Sequence, residues 1–176
     1  MDGPNGKVII FMGEGYGKSA AALGIALRRA SIGQRIVVIQ FLKAKDITDN
    51  DFLKRLEPEI KFFRFEKSQQ DYRNRTSEEQ REAVINIRNG LGFARKVLTT
   101  GECDMLILDE VLEVINKGII EVEDLRSLVE LRDDTDVIVT GSAMDEKVCT
   151  FADEISEIDP VAFRSYDTDR KIHESM

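Results

Sequence analysis

The chain has one histidine, two cysteines, three prolines and no tryptophan among its 176 residues. Cys103 and Cys149 stand apart, with no CxxC pair and no neighbouring histidine. Zinc-ligand spacing and a disulfide framework are therefore both missing, and the two read as reduced, half-buried core thiols. Basic residues are outnumbered, since 33 Asp and Glu against 25 Lys and Arg leave a formal net charge of -8. No block of Lys or Arg supplies the field a phosphate backbone requires, which excludes nucleic acid as an expected partner. Long apolar runs are lacking as well: Val8 to Met12, Ile36 to Leu42 and Met105 to Leu108 all fall far short of a bilayer, and the N-terminus has no signal-peptide core. A cytoplasmic protein with no membrane partner is expected. Internal repeats and low-complexity segments are absent too.

What is present is an alternation of short apolar runs with longer stretches of helical period. That pattern predicts an α/β fold in one domain over 1–176, a mostly parallel central sheet with helices on both faces. Strands are expected at Lys7 to Met12, Arg35 to Phe41, Ile60 to Phe65, Met105 to Leu108 and Asp136 to Thr140, with an edge strand at Glu154 to Ile158. Helices are expected at Ser19 to Ser31, Asp49 to Leu56, Ser77 to Thr100, Glu123 to Leu131 and Asp145 to Phe151. Ser77 caps the longest of these with Gln80 three residues on, Gly90 and Gly92 should bend its middle, and Gly101 ends it. The polar stretch 160–176 is either a lid or a flexible tail.

The turn between the first strand and first helix reads Gly13-Glu14-Gly15-Tyr16-Gly17-Lys18-Ser19, followed by Ala20. Three alternate glycines let backbone N–H groups face phosphate oxygens, and the helix directs its positive end at the same anion. Lys18 adds a point charge, and Ser19 stands where a hydroxyl coordinates Mg2+. Against the GxxxxGK[ST] pattern the loop is one residue short, with Met12 where the first glycine would fall. A turn that uses glycine only for geometry would leave Lys18-Ser19 in register unexplained. Asp109 and Glu110 end a buried strand, and strand C-termini line the ligand crevice of a parallel sheet. Two carboxylates there can hold Mg2+ directly or through water.

Gly13-x-Gly15-x-Gly17-Lys18-Ser19 with Ala21-Ala22-x-Gly24, Val38-x-Gln40-Phe41-Leu42-Lys43, Asp104 to Glu110, and Thr140-Gly141 together resemble the P-loop ATP:corrinoid adenosyltransferase family. The resemblance implies a P-loop, RecA-like fold. It implies ATP as co-substrate, Mg2+ as cofactor and a reduced corrinoid as acceptor, with the 5′-deoxyadenosyl group passing to cobalt and triphosphate leaving. By the same resemblance Lys18 and the amides of the loop from Gly13 to Ala20 hold the phosphates, Ser19, Asp109 and Glu110 the metal, and Lys18 and Glu110 the catalytic roles. Gln40 and Lys43 would lie beside the transfer site, and Phe65 and Tyr72 are the aromatic candidates for the corrinoid. A homodimer and a reductase that supplies reduced cobalt complete what it implies. The family commonly has Lys at Tyr16, Thr at Ala20, Arg at Ser142 and Gly at Ala44, and a different C-terminal segment. The residues alone leave two alternatives: an ordinary P-loop NTPase or small-molecule kinase, or a non-catalytic paralogue that binds ATP or corrinoid.

Overall fold

A computed structural model describes residues 5–15, 17–42, 53–68, 70–142, 145–164 and 172–174. The strands are β1 (Val8–Met12), β2 (Ile36–Gln40), β3 (Ile60–Arg64), β4 (Met105–Asp109), β5 (Asp136–Gly141) and β6 (Glu154–Glu157), and the helices α1 (Gly17–Ala30), α2 (Ser77–Thr100), α3 (Val111–Asn116) and α4 (Val122–Val129). The six strands form one sheet in the order β3-β2-β4-β5-β1-β6, and every pairing is parallel. All six therefore end on one rim, where the turn into α1, the end of β4 and the end of β5 also lie.

Period-two alternation sorts the core onto two faces. Ile9, Phe11, Ile36, Val38, Ile60, Met105, Ile107 and Ile138 pack with Ala22 and Ala26 of α1. Val8, Ile10, Val37, Ile39, Leu106, Leu108, Val137 and Val139 pack with α2, α3 and α4. Small residues on α1 bring that helix close to the sheet, whereas Ala83, Ile87, Gly90, Ala94 and Val97 form the buried stripe of α2 at helical spacing. Helices thus cover both faces, as the sequence pattern predicts.

Some local expectations change. The cap of α2 falls one residue earlier, because Thr76 is extended and accepts from the Glu79 amide while the Glu79 carboxylate takes the Thr76 N–H at 2.8 Å. A carboxylate in this reciprocal box outcompetes the Ser77/Gln80 pairing. Neither Gly90 nor Gly92 interrupts α2, and a Cβ on Gly90 would stand 3.0 Å from the Phe41 ring and 3.2 Å from that of Phe65. Close packing explains the glycine there. Helix α3 had no expectation, having only six residues behind a strand. Glu146–Phe151 winds as a 3-10 helix. Residues 53–54 are helical, and 49–52 of that expected helix lie outside the described residues. Cys103 is buried, with burial pushing its thiol up to about 12, but Cys149 is exposed rather than half-buried. In the C-terminal stretch Ala162–Arg164 (β7) pairs antiparallel with Ile172–Glu174 (β8), strands too short to register as a period.

The loop from β3 to α2 is fastened from within. Arg75 and Glu66, whose side chains are 2% and 4% exposed, pair at 2.8 Å. Arg75 also donates to the carbonyls of Ser68 and Gln70, while Glu66 accepts from the amides of Lys67 and Ser68. Burial alone would raise the Glu66 pKa, but the Arg75 guanidinium and the two amides outweigh it and hold it below the ordinary carboxylate value. With a depressed folded pKa, this stabilisation is present above the unfolded carboxylate pKa and is lost as pH falls through the folded value. Arg75→Met should lower the unfolding free energy by about 3–5 kcal/mol, since it strands a buried charge. Denaturant unfolding across acid pH should show that loss at neutral pH and a flatter acid limb.

Candidate functional site

Parity along the strands brings the polar ends together. Ile60, Ile36 and Met105 lie on the α1 face, and continuing each alternation to the strand end places Arg64, Gln40 and Asp109 on that face too. They are also direct neighbours in register, Arg64 opposite Gln40 and Gln40 opposite Asp109. Thr140, two residues beyond Ile138, continues the row on β5. The apolar core on this face is thus topped by a polar line where α1 begins.

Asp109 is the centre of that line and is only 3% exposed. Its Oδ1 accepts from Ser19 Oγ at 2.6 Å and from Thr140 Oγ1 at 2.8 Å, and its Oδ2 accepts from Gln40 Nε2 at 3.1 Å. Gln40 Oε1 in turn accepts from Arg64 Nε. Glu110 follows in a left-handed conformation with φ 64°, its amide donating to Thr140 Oγ1 at 2.8 Å, and it is half-buried at the start of α3. That backbone turn separates the two acidic residues. Asp109 stays inside the row, and Glu110 begins a helix on the opposite face.

In the glycine loop, Gly13 and Gly15 take φ 124° and 89°, a region closed to most side chains. Their carbonyls face inward and receive Lys18 Nζ at 2.6 and 3.0 Å, with Lys18 itself 4% exposed. Gly13 also donates to the Ser142 carbonyl at 3.2 Å, joining the loop to the end of β5. Ser142 N–H and O–H both donate to Glu113 Oε1 of α3. Burial would raise the Glu113 pKa, but those two donors outweigh it and hold it below the usual range. Ala20 is exposed in the first turn of α1, and Tyr16 lies outside the described residues.

The segment after β6 closes over the loop. A Cβ on Gly17 would stand 2.6 Å from Ile158 Cγ2, and one on Gly13 would stand 2.4 Å from the Ile158 carbonyl oxygen. Glu14 donates its N–H to Asp159 Oδ1 at 2.6 Å. An exposed carboxylate thus holds an amide of the loop that a phosphate would use. Asp159→Asn should therefore tighten ATP binding about fivefold, the effect of removing roughly 1 kcal/mol of like-charge repulsion near the surface. Calorimetric titration with ATP checks this, and weaker binding would contradict it.

Ser19, Asp109 and the loop fit a hard cation. Among the described residues no group of three or more His, Cys, Asp or Glu side chains could hold a metal alone. An ion here would be completed by phosphate oxygens and waters, and that is how Mg2+ is usually held.

Of the residues singled out in the sequence, Lys18, Ser19, Asp109 and Gln40 come together, with Glu110 beside them. Lys43 lies outside the described residues. Phe65 continues the opposite parity, packing against Phe93 of α2 with ring centroids 5.9 Å apart, so the sheet separates it from the polar row. Tyr72 is half-buried in a 3-10 turn on the loop before α2. Arg64, Thr140, Glu113 and Asp159 were not singled out as site residues. Arg64 and Thr140 could have been found by extending the strand parity, whereas Glu113 and Asp159 carry no local signal. No helix among the described residues is long and apolar enough to cross a membrane.

Known proteins give a consistent picture. Over 159 residues the chain is 30% identical to a corrinoid adenosyltransferase of Escherichia coli K12, covering 89% of this chain and 78% of that one. It is 27% identical over 157 residues to the corrinoid adenosyltransferase CobA of Salmonella typhimurium, with the same coverage. Among solved structures, a KaiC-like protein from Pyrococcus horikoshii OT3 superposes with a TM-score of 0.59 at 18% identity, covering 96% of this chain and 76% of that one, a likeness of fold. Residues 4–174 match the family described as ATP:corrinoid adenosyltransferase BtuR/CobO/CobP, and the chain belongs to that family.

Proposed function

We propose that this chain transfers the 5′-deoxyadenosyl group of Mg-ATP to the Co(I) centre of a corrinoid, acting as a homodimer supplied with reduced corrinoid by a reductase. In this reaction the Co(I) electron pair forms a bond to C5′, the C5′–O5′ bond breaks, and triphosphate departs with the electrons of that bond. The nucleophile belongs to the substrate, so no side chain need act as nucleophile or base. His173 then has no part in the chemistry.

The protein's work is to hold the leaving group and expose C5′. Lys18 and the loop amides bind the triphosphate and stabilise the charge that develops on it. Mg2+, which Ser19 and Asp109 would hold with Glu110 beside them, would supply further neutralisation of that charge. Gln40 orients Asp109, and by the family resemblance Gln40 and Lys43 are assigned to the transfer site. Tyr72, in the 3-10 turn of the loop from β3 to α2, is the aromatic residue proposed to meet the corrinoid.

The single observation that carries this reading is the contact between Ser19 and Asp109, which joins the glycine loop to the acidic strand end within a chain of this family. Anaerobic incubation with Mg-ATP and chemically reduced cobalamin tests it. The corrinoid spectrum should shift to that of an alkylated cobalt while triphosphate appears in equal amount. Release of phosphate or diphosphate, with or without corrinoid, would instead indicate an ordinary NTPase or kinase.

A further inference from the structure

We propose that Arg64 is a positioning residue of the nucleotide site, acting through Gln40 to orient the carboxylate of Asp109. The inference rests on the proposed role of Asp109 in holding Mg-ATP.

Arg64 ends β3, an edge strand, where a charged side chain would ordinarily extend into solvent. Here it is half-buried on the α1 face, in register with Gln40, and its Nε donates to Gln40 Oε1. A guanidinium can only donate and an ionised carboxylate can only accept. Gln40 lies between the two and presents its oxygen to Arg64 and its NH2 to Asp109 Oδ2. The reverse orientation would set donor against donor at Arg64 and acceptor against acceptor at Asp109. Arg64 therefore fixes which end of the Gln40 carboxamide meets Asp109, and so which way the carboxylate plane faces. The opposite oxygen of that carboxylate receives Ser19 and Thr140, the side on which the loop and its ligand lie.

Residues behind a metal site typically change metal affinity 10–100-fold, and Arg64 acts one residue further away, so a loss of roughly 3- to 10-fold is expected. The experiment is a double-mutant cycle on the full chain, with ATP affinity measured calorimetrically in the presence and absence of Mg2+. Arg64→Met should weaken binding of Mg-ATP by that factor and leave Mg-free ATP affinity unchanged, which a general loss of packing would not do. In a Gln40→Leu background the same substitution should have no further effect, because the residue it acts through is gone. Arg64→Lys, which keeps the charge but not the planar fork, should show a smaller loss and serves as the second variant in the cycle if Arg64→Met fails to fold. Multiplying losses in the double variant, or unchanged Mg-ATP affinity in both Arg64 variants, would overturn the proposal. Asp109→Asn separates the two readings: a variant that keeps its Mg2+ dependence removes the underlying metal site, whereas dependence on Asp109 with independent effects of Arg64 and Gln40 removes this proposal alone.

Discussion

Lys18→Ala should abolish triphosphate formation, lowering turnover roughly 100- to 1,000-fold, the usual cost of deleting one preorganised donor to a developing anion. The reason lies in how the side chain is held. Its ammonium is buried against the carbonyls of Gly13 and Gly15, so it is desolvated and directed into the loop before any phosphate arrives. A triphosphate offers a better partner than two carbonyls, and the ammonium can turn to it without leaving a lower-dielectric setting. ATP affinity should fall as well, since a hydrogen bond to a charged group contributes about 1.5–3 kcal/mol. Lys18→Arg should not restore activity, because a planar fork does not fit where two loop carbonyls converge on a single point charge. Phosphate-product analysis with reduced corrinoid measures the first effect, calorimetry the second and a melting curve the integrity of the fold. Near-wild-type turnover in the alanine variant would remove the loop from the chemistry.

That the loop and the strand end would meet was legible from sequence, because both readings are local. Gly13 to Ser19 announces its turn and its ligand together, and Met105 to Asp109 announces a buried strand ending in a carboxylate. Four of the five principal strands are likewise built on continuous apolar runs, and β3 alone is interrupted, by Lys61. Other features depend on the fold. The bond from Glu14 to Asp159 joins residues 145 apart, and nothing near either one marks it. Ser142 pairs with Glu113 only because α3 begins with the left-handed turn at Glu110, and α3 itself is one short helix without a sequence cap. Phe65 was a candidate corrinoid contact through the family resemblance. Strand parity places it against Phe93 instead, and Arg64, beside it in sequence, is the residue that faces the site.

Asp109→Asn should eliminate the Mg2+ dependence of ATP binding and lower triphosphate formation roughly 100-fold, because it replaces a buried carboxylate bonded to Ser19 with a neutral group. The stability effect follows separately from the direction of the hydrogen bonds. The asparagine oxygen could still accept from Ser19 and Thr140, but its NH2 would then meet the NH2 of Gln40. Gln40 cannot turn over without opposing its NH2 to Arg64. One buried donor must remain unmatched, at a cost of about 1–3 kcal/mol. Adding Gln40→Glu supplies an acceptor to both neighbours, Arg64 on one side and the new amide on the other. The double variant should therefore recover stability in denaturant unfolding while Mg2+ dependence stays lost. Recovery of both would place the metal at residue 40 rather than 109, and recovery of neither would mean that the polar row across β3, β2 and β4 does not act as a directed chain of donors and acceptors.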